Sequence, residues 1–275
     1  MVKFMKNYIK LTKISLLLLM ITAMLAGLTS CGKQKAGLSL FDTIKQRGTI
    51  IAGVKYDSRP FGFVDTDQQL KGFDVELIRE IAKRLLGDPN AVKFQQVTSS
   101  NRIFSLTSGS VDMVAATMTI NEKRKQIIDF SLPYYIAGQT IMIPKTSSIR
   151  SVKDLNDRKV IVVLGSTSEK NIRELAPKAI VEGFRTYTDA FSALRGRRAD
   201  ALTTDDTIIA GFLAEDPNFK MLKERYTVEP YGIGFRKGTD TQSFQQAVNN
   251  ALQEIKADGT LDRLTKKWVG KYNNR

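Results

Sequence analysis

The sequence predicts an α/β protein of two successive units, each a mainly parallel sheet with helices packed against it. Three observations lead there. Short β-branched runs alternate with stretches whose apolar residues recur at helical spacing, the signature of strand–helix–strand units. The alternation starts near Thr49, and after Ala116 it starts afresh at Lys159. A chain of 275 residues, 42% hydrophobic and 25% charged, is also long enough and apolar enough for two cores.

In the first unit, Thr49 to Val54 reads as a buried strand that ends in turn residues. Val75, Leu77, Ile78, Ile81, Ala82, Leu85 and Leu86 form the apolar face of a helix, which Gly87-Asp-Pro-Asn90 stops. A strand over 92–97, a short helix over 102–107 and a strand over 111–116 follow. The second unit has strands over 159–164, 180–184 and 201–203. Helices are expected after Gly165, around Phe191 and Leu194, and over 208–213. Gly232 to Phe235 reads as one more strand. Two amphipathic helices close the chain, one carrying Phe244, Val248, Leu252 and Ile255, the other Leu261, Leu264 and Trp268, with Gly259 as the stop between them.

The first thirty residues read as an address. Lys3, Lys6, Lys10 and Lys13 precede an apolar core over 14–27, and small residues follow, as in a secretory signal peptide. Leu28-Thr-Ser-Cys31 resembles the lipobox of bacterial lipoproteins, which implies cleavage before Cys31 and a lipid on its sulfur. Residues 32–37 then serve as a flexible tether. The expectation is an exported protein held by lipid at the outer face of the cytoplasmic membrane, in a periplasm or at the cell surface.

Composition removes several classes of function. There is no histidine and only one cysteine, which excludes a zinc site, a Ser-His-Asp triad and an internal disulfide. No metal or cofactor is expected. The formal charge is +14; without the four leader lysines it is 38 minus 28, or +10. Those later cations are interspersed with acids and form no aromatic–basic stripe, so nucleic acid is not the expected partner.

Three runs carry a resemblance: Gly72-Phe-Asp-Val-Glu76, Ala116-Thr-Met-Thr-Ile-Asn-Glu-Lys-Arg124 and Asp129-Phe-Ser-Leu-Pro-Tyr-Tyr135. Together they resemble the polar amino-acid-binding proteins of bacterial ABC transporters (solute-binding protein family 3), from about residue 38 to the end. The resemblance implies a two-lobed, periplasmic-binding-protein-like (type II) α/β fold, with two mixed sheets joined by a two-strand hinge. The first lobe would be residues 38–138 and 230–275, and the second 139–229. It further implies a monomer whose cleft closes on a free amino acid and which hands that ligand to a transporter permease.

A free amino acid needs donors for its α-carboxylate and an anion for its α-ammonium. The planar fork of Arg124 suits the carboxylate, although Arg124 also sits in a charge run, Glu122 to Lys125, where it could be a solvated side chain. Thr117 and Thr119 stand two apart, so an extended backbone would place them on one face. Ser166 and Thr167 open a helix after a strand, a natural anion site; an N-cap at Thr167 or Ser168 worth about 1 kcal/mol is the plainer role. The resemblance implies that Thr119, Arg124, Ser166 and Thr167 grip the carboxylate. It also implies that Asp205 pairs with the ammonium; for its neighbour Asp206 the plainer role is to cap the helix that follows.

Lys55, Arg102 and Tyr187 match positions that meet the ligand side chain in the branch that binds acidic amino acids. Arg124, Arg102, Lys55 and Asp205 sum to +2, which favours glutamate or aspartate over glutamine, the alternative. An enzyme of the dehydratase type on the same architecture is the rival of another class. It would need a proton-transfer group beyond the carboxylate that holds the ammonium, and none is evident, so binding without chemistry is expected.

Overall fold

A computed structural model of the chain describes residues 37–270, and from Leu38 onward they belong to one compact unit. The leader over 1–30, Cys31 and the tether up to residue 36 lie outside the described residues. Among the described residues, no helix is long and apolar enough to cross a membrane.

The chain begins with α1 (Leu40–Arg47), capped by Ser39 and ended by Gly48 at φ 68°. There follow β1 (Ile50–Val54), a small antiparallel sheet of β2 (Asp57–Ser58), β3 (Gly62–Val64) and β4 (Leu70–Lys71), and then α2 (Phe73–Leu86). β5 (Val92–Gln96), α3 (Arg102–Thr107), β6 (Met113–Val114), α4 (Glu122–Lys125) and β7 (Ile128–Phe130) come next. β8 (Tyr135–Ala137) leads to β9 (Gln139–Pro144), β10 (Lys159–Val163), α5 (Thr167–Leu175), β11 (Ile180–Phe184) and α6 (Tyr187–Arg195). The remainder is β12 (Ala201–Asp205), α7 (Asp206–Glu215), β13 (Phe219–Met221), β14 (Glu229–Tyr231), β15 (Gly234–Arg236), α8 (Gln242–Ala257) and α9 (Thr260–Trp268).

Two five-stranded sheets define two lobes. The first runs β5-β1-β6-β15-β7, with β1 parallel to β5 and β6 and with β15 antiparallel to its neighbours. The second runs β11-β10-β12-β9-β13, with β10 parallel to β11 and β12 and with β9 antiparallel to β12 and β13. The chain passes between the sheets twice. β8 carries it out and β14 brings it back, paired antiparallel with Tyr135 opposite Tyr231.

Burial explains why these segments became these elements. β1 and β10 are apolar on both faces, as central parallel strands must be. The apolar face of α2 (Phe73, Leu77, Ile78, Ile81) packs with Phe235, Phe244, Val248 and Trp268 in the first core. In the second lobe, Phe191, Leu194, Ile208 and Phe212 cover one face of the sheet, and Ile172, Val160 and Val162 pack on the other. Each such fully buried side chain stabilises by about 1.5–3 kcal/mol relative to exposure.

The structure corrects several expected boundaries. The strand expected over 111–116 is only Met113–Val114, because the chain turns and Thr117 adopts φ 47°. Thr117 and Thr119 are therefore not on one face of an extended segment. The strand expected over 201–203 continues to Asp205, and the helix expected over 208–213 spans Asp206–Glu215.

Candidate functional site: the cleft between the lobes

Almost every sequence-nominated residue follows the C-terminal end of a strand. Lys55 follows β1, Arg102 follows β5, Thr117 and Thr119 follow β6, Ser166 and Thr167 follow β10, Tyr187 follows β11, and Asp205 ends β12. In open α/β sheets that edge is where ligands collect. The crossing pair β8–β14 brings the two edges together.

A deep group gathers around Thr117. Lys55 Nζ donates to Thr117 Oγ1 at 2.9 Å and lies 4.3 Å from the centre of the Tyr187 ring. Arg102 Nη1 donates to the carbonyls of Ala116 at 2.6 Å and Thr117 at 3.2 Å. The Thr117 N–H donates to Asp74 Oδ2 at 3.1 Å, and the Tyr134 hydroxyl donates to Asp74 Oδ1 at 2.8 Å. A β-branched residue at positive φ is strained. Here Asp74, Lys55 and Arg102 hold it from three sides. Across the cleft, Asp205 accepts a hydrogen bond from the Tyr231 hydroxyl, and Thr204 Oγ1 donates to the Tyr187 hydroxyl at 3.2 Å.

An outer group lines a cavity of about 820 Å³ at the mouth, whose walls include Thr119, Arg124, Ser166, Thr167 and Glu229. Arg124 bridges the lobes: Nη1 donates to the Thr119 carbonyl at 2.8 Å and Nη2 to the Gly165 carbonyl at 3.2 Å. The hydroxyl of Thr167 donates to Glu229 Oε2 at 2.9 Å and accepts from Gln139 Nε2 at 2.8 Å. Its proton is thus committed to Glu229. Ser166, rather than Thr167 or Ser168, is the N-cap of α5, its Oγ accepting from the Glu169 N–H at 3.2 Å.

The neighbouring aspartates make different contacts. Asp205, at the end of β12, is buried and accepts from the Tyr231 hydroxyl. Asp206 is the first residue of α7 rather than its cap, and it anchors the crossing segment. Its carboxylate accepts from the Gly138 N–H at 3.3 Å and meets Arg225 Nη2 at 2.5 Å, and its own N–H donates to the Gly138 carbonyl at 2.8 Å.

Burial sets the electrostatics. Lys55, Arg102 and Arg124 are 1%, 2% and 8% exposed, and Asp74, Asp205 and Glu229 are 0%, 5% and 3% exposed. Desolvation, then the nearby Arg102 charge, depresses Lys55 to about 7 and Arg124 to about 9. Desolvation raises Asp205 to about 7, reinforced by Glu229 and opposed by the Tyr231 hydroxyl. Asp74 is raised by desolvation to about 6, against the Tyr134 and Thr117 donors.

Asp74, Gln139, Glu229 and Tyr231 were not nominated from the sequence. Asp74 lies within Gly72-Phe-Asp-Val-Glu76, in the first turn of an otherwise apolar helix face. Glu229 stands between Val228 and Pro230 in a segment leading into a core strand, and an acid so placed is a signal of paired burial.

A family model described as bacterial extracellular solute-binding proteins, family 3, matches residues 50–271. The glutamine-binding protein GlnH of a Bacillus subtilis ABC transporter is 39% identical over 269 residues, covering 96% of this chain and 98% of that protein. The glutamate-binding protein GluB of Corynebacterium efficiens is 30% identical over 262 residues, covering 90% of this chain and 88% of its own. Among solved structures, an ancestral arginine-binding protein bound to glutamine superposes with TM-score 0.77 at 40% identity, covering 82% of this chain and 99% of that one.

Proposed function

This chain belongs to the bacterial extracellular solute-binding proteins, family 3, and from that membership we propose that it captures glutamine and delivers it to an ABC importer. It would act as a single copy outside the cytoplasm, held at the membrane by a lipid on Cys31. Arg124, the start of α5 and Thr119 receive the α-carboxylate, and Asp205 receives the α-ammonium. The side-chain amide lies against Lys55, Arg102 and Tyr187.

The observation that carries the choice of glutamine is the balance of buried charge. Counting Asp205 alone against three cations leaves +2 and favours an acidic ligand. The cleft also holds Asp74 and Glu229, so the buried cations Lys55, Arg102 and Arg124 are matched by three buried carboxylates, 3 minus 3 being 0, and the partly buried Asp57 carboxylate acts on Lys55 as well. A zwitterion with a neutral side chain preserves that balance. Glutamate would bring one further negative charge into a closed, desolvated site, which is costly without a dedicated partner. The similarity to a glutamine-binding relative over nearly the whole chain supports the same reading.

Calorimetric titration with glutamine, glutamate, aspartate and histidine tests it. Glutamine should bind at least about tenfold more tightly than glutamate, the discrimination expected when one buried charge lacks a partner. Tighter binding of glutamate would return the acidic reading.

A further inference from the structure

The segment joining β1 to β3 makes three contacts with the second lobe that leave the polar side-chain atoms nominated for the ligand free. Asp57 Oδ2 accepts the backbone N–H of Tyr187, the first residue of α6, at 2.7 Å. An anion there is favoured by the helix dipole and by the charge assistance of the bond. The carbonyl of Arg59 lies so close to Gly211 that a Cβ at that glycine would fall 2.5 Å from it. Arg59 Nε is 3.7 Å from Glu215 Oε1, at the end of the same α7 helix.

Gly211 is the informative residue. It lies in the interior of α7 and is not among the glycines at positive φ. Glycine in a helix interior is destabilising relative to alanine, so the helix alone gives no reason for it. The approach of the Arg59 carbonyl from the other lobe does. Gly165 is similarly overlaid, a Cβ there lying 2.7 Å from the Ser99 carbonyl, but its φ of 78° already calls for glycine.

We propose that residues 57–60 form a latch that sets ligand affinity by holding the lobes together, and that position 211 is glycine to admit it. Asp57 and Gly211 are positioning residues. They act on the closed arrangement and, through the Tyr187 backbone, on where that ring meets Lys55. The inference rests on the solute-binding reading of the cleft. A ligand that binds only the closed arrangement has its apparent affinity reduced in proportion to the closed fraction. Weakening the latch therefore weakens every ligand by one common factor.

The test uses Gly211→Ala and Asp57→Ala on the full-length chain. Each should raise Kd for glutamine about tenfold, with the ratio of Kd between glutamine and glutamate unchanged. The ligand-free melting temperature of Gly211→Ala should equal or exceed that of the wild type, since alanine is the better helix former. A merely structural role would lower it instead. Asp57→Asn keeps an acceptor for the Tyr187 N–H and should recover part of the affinity. Hydrogen exchange of the Tyr187 amide, read by NMR, should be faster in Asp57→Ala than in the wild type, with or without a ligand. Failure of the wild type to bind glutamine would overturn the function proposed for the cleft, while the Tyr187 amide would still report on the latch. Wild-type affinity in both alanine variants, or unchanged exchange at Tyr187, would overturn the latch.

Discussion

A guanidinium carries five N–H donors in a rigid fork, and at Arg102 the carbonyls of Ala116 and Thr117 occupy only one arm of it. Its Nε has no hydrogen-bond partner among the described residues. Arg102 therefore shapes the strained turn at Thr117 and retains donor capacity that an amide oxygen can accept. Asp205 presents the complementary case. Burial raises its folded pKa to about 7, well above the ordinary carboxylate range, so between that range and pH 7 the folded ligand-free protein binds more protons than the unfolded chain. Its contribution to ligand-free stability accordingly falls as pH rises through that window. In the proposed binding mode ligand binding runs the other way, because the α-ammonium would pair with the ionised carboxylate. Affinity should drop about fifteenfold between pH 7 and pH 5.5, the slope approaching the limit of tenfold per unit for one proton released. In the lower half of that range Lys55 is already charged, its pKa being about 7. Asp205→Asn should bind weakly and with a flat pH profile. Titrations at four pH values decide it, and an equal pH slope in the variant would remove Asp205 as the titrating group.

At the scale of elements, what the sequence made legible follows from how each segment is buried. β1 and β10 are β-branched runs next to turn residues, β11 opens on Ile180-Val181, and α2, α8 and α9 carry apolar residues at regular spacing, so their positions were readable. β2, β3, β4, β7, β8, β13 and β14 are two or three residues long, too short for any periodicity to register, and tertiary pairing alone makes them strands. The sequence offers candidates where the proposed ligand would demand a residue type, as at Arg124 and Asp205. The cleft was not legible where the demand comes from the protein itself. Asp74 and Glu229 balance charges that only the folded chain brings near them, and the φ of 47° at Thr117 is imposed by groups 43 and 62 positions away in the sequence, Asp74 and Lys55. Helix α5 shows the same division. Its cap is Ser166, with the Glu169 carboxylate returning to the Gly165 N–H at 3.0 Å. Ser166→Ala should cost about 1 kcal/mol of stability, the ordinary worth of an N-cap. It should also loosen the turn that carries Gly165, whose carbonyl receives Arg124. Urea denaturation reads the first effect and glutamine titration the second. A variant with the stability loss and unaltered affinity would confine Ser166 to the cap.

The whole molecule couples these parts through its two crossings. β8 and β14 are paired with each other, Asp206 grips Gly138 just beyond β8, and Glu229 on β14 holds Thr167 at the start of α5. A ligand bridging Arg124 from one lobe and Asp205 from the other draws on both cores at once, so the lobes should unfold together when it is bound. Any ligand that binds the folded chain alone stabilises it by mass action. At one hundred times Kd the gain is about 2.7 kcal/mol. For a domain of this size that corresponds to a rise of about 5–10 °C in melting temperature. Saturating glutamine should move one calorimetric transition upward by that amount. Glutamate at equal concentration should move it less, because its second carboxylate enters a cleft whose cations are already matched. The two shifts are measured on the same protein in the same buffer, which cancels differences in preparation. A larger shift with glutamate, or two transitions of which glutamine moves only one, would contradict the neutral-ligand reading in the first case and the coupled closure of the lobes in the second.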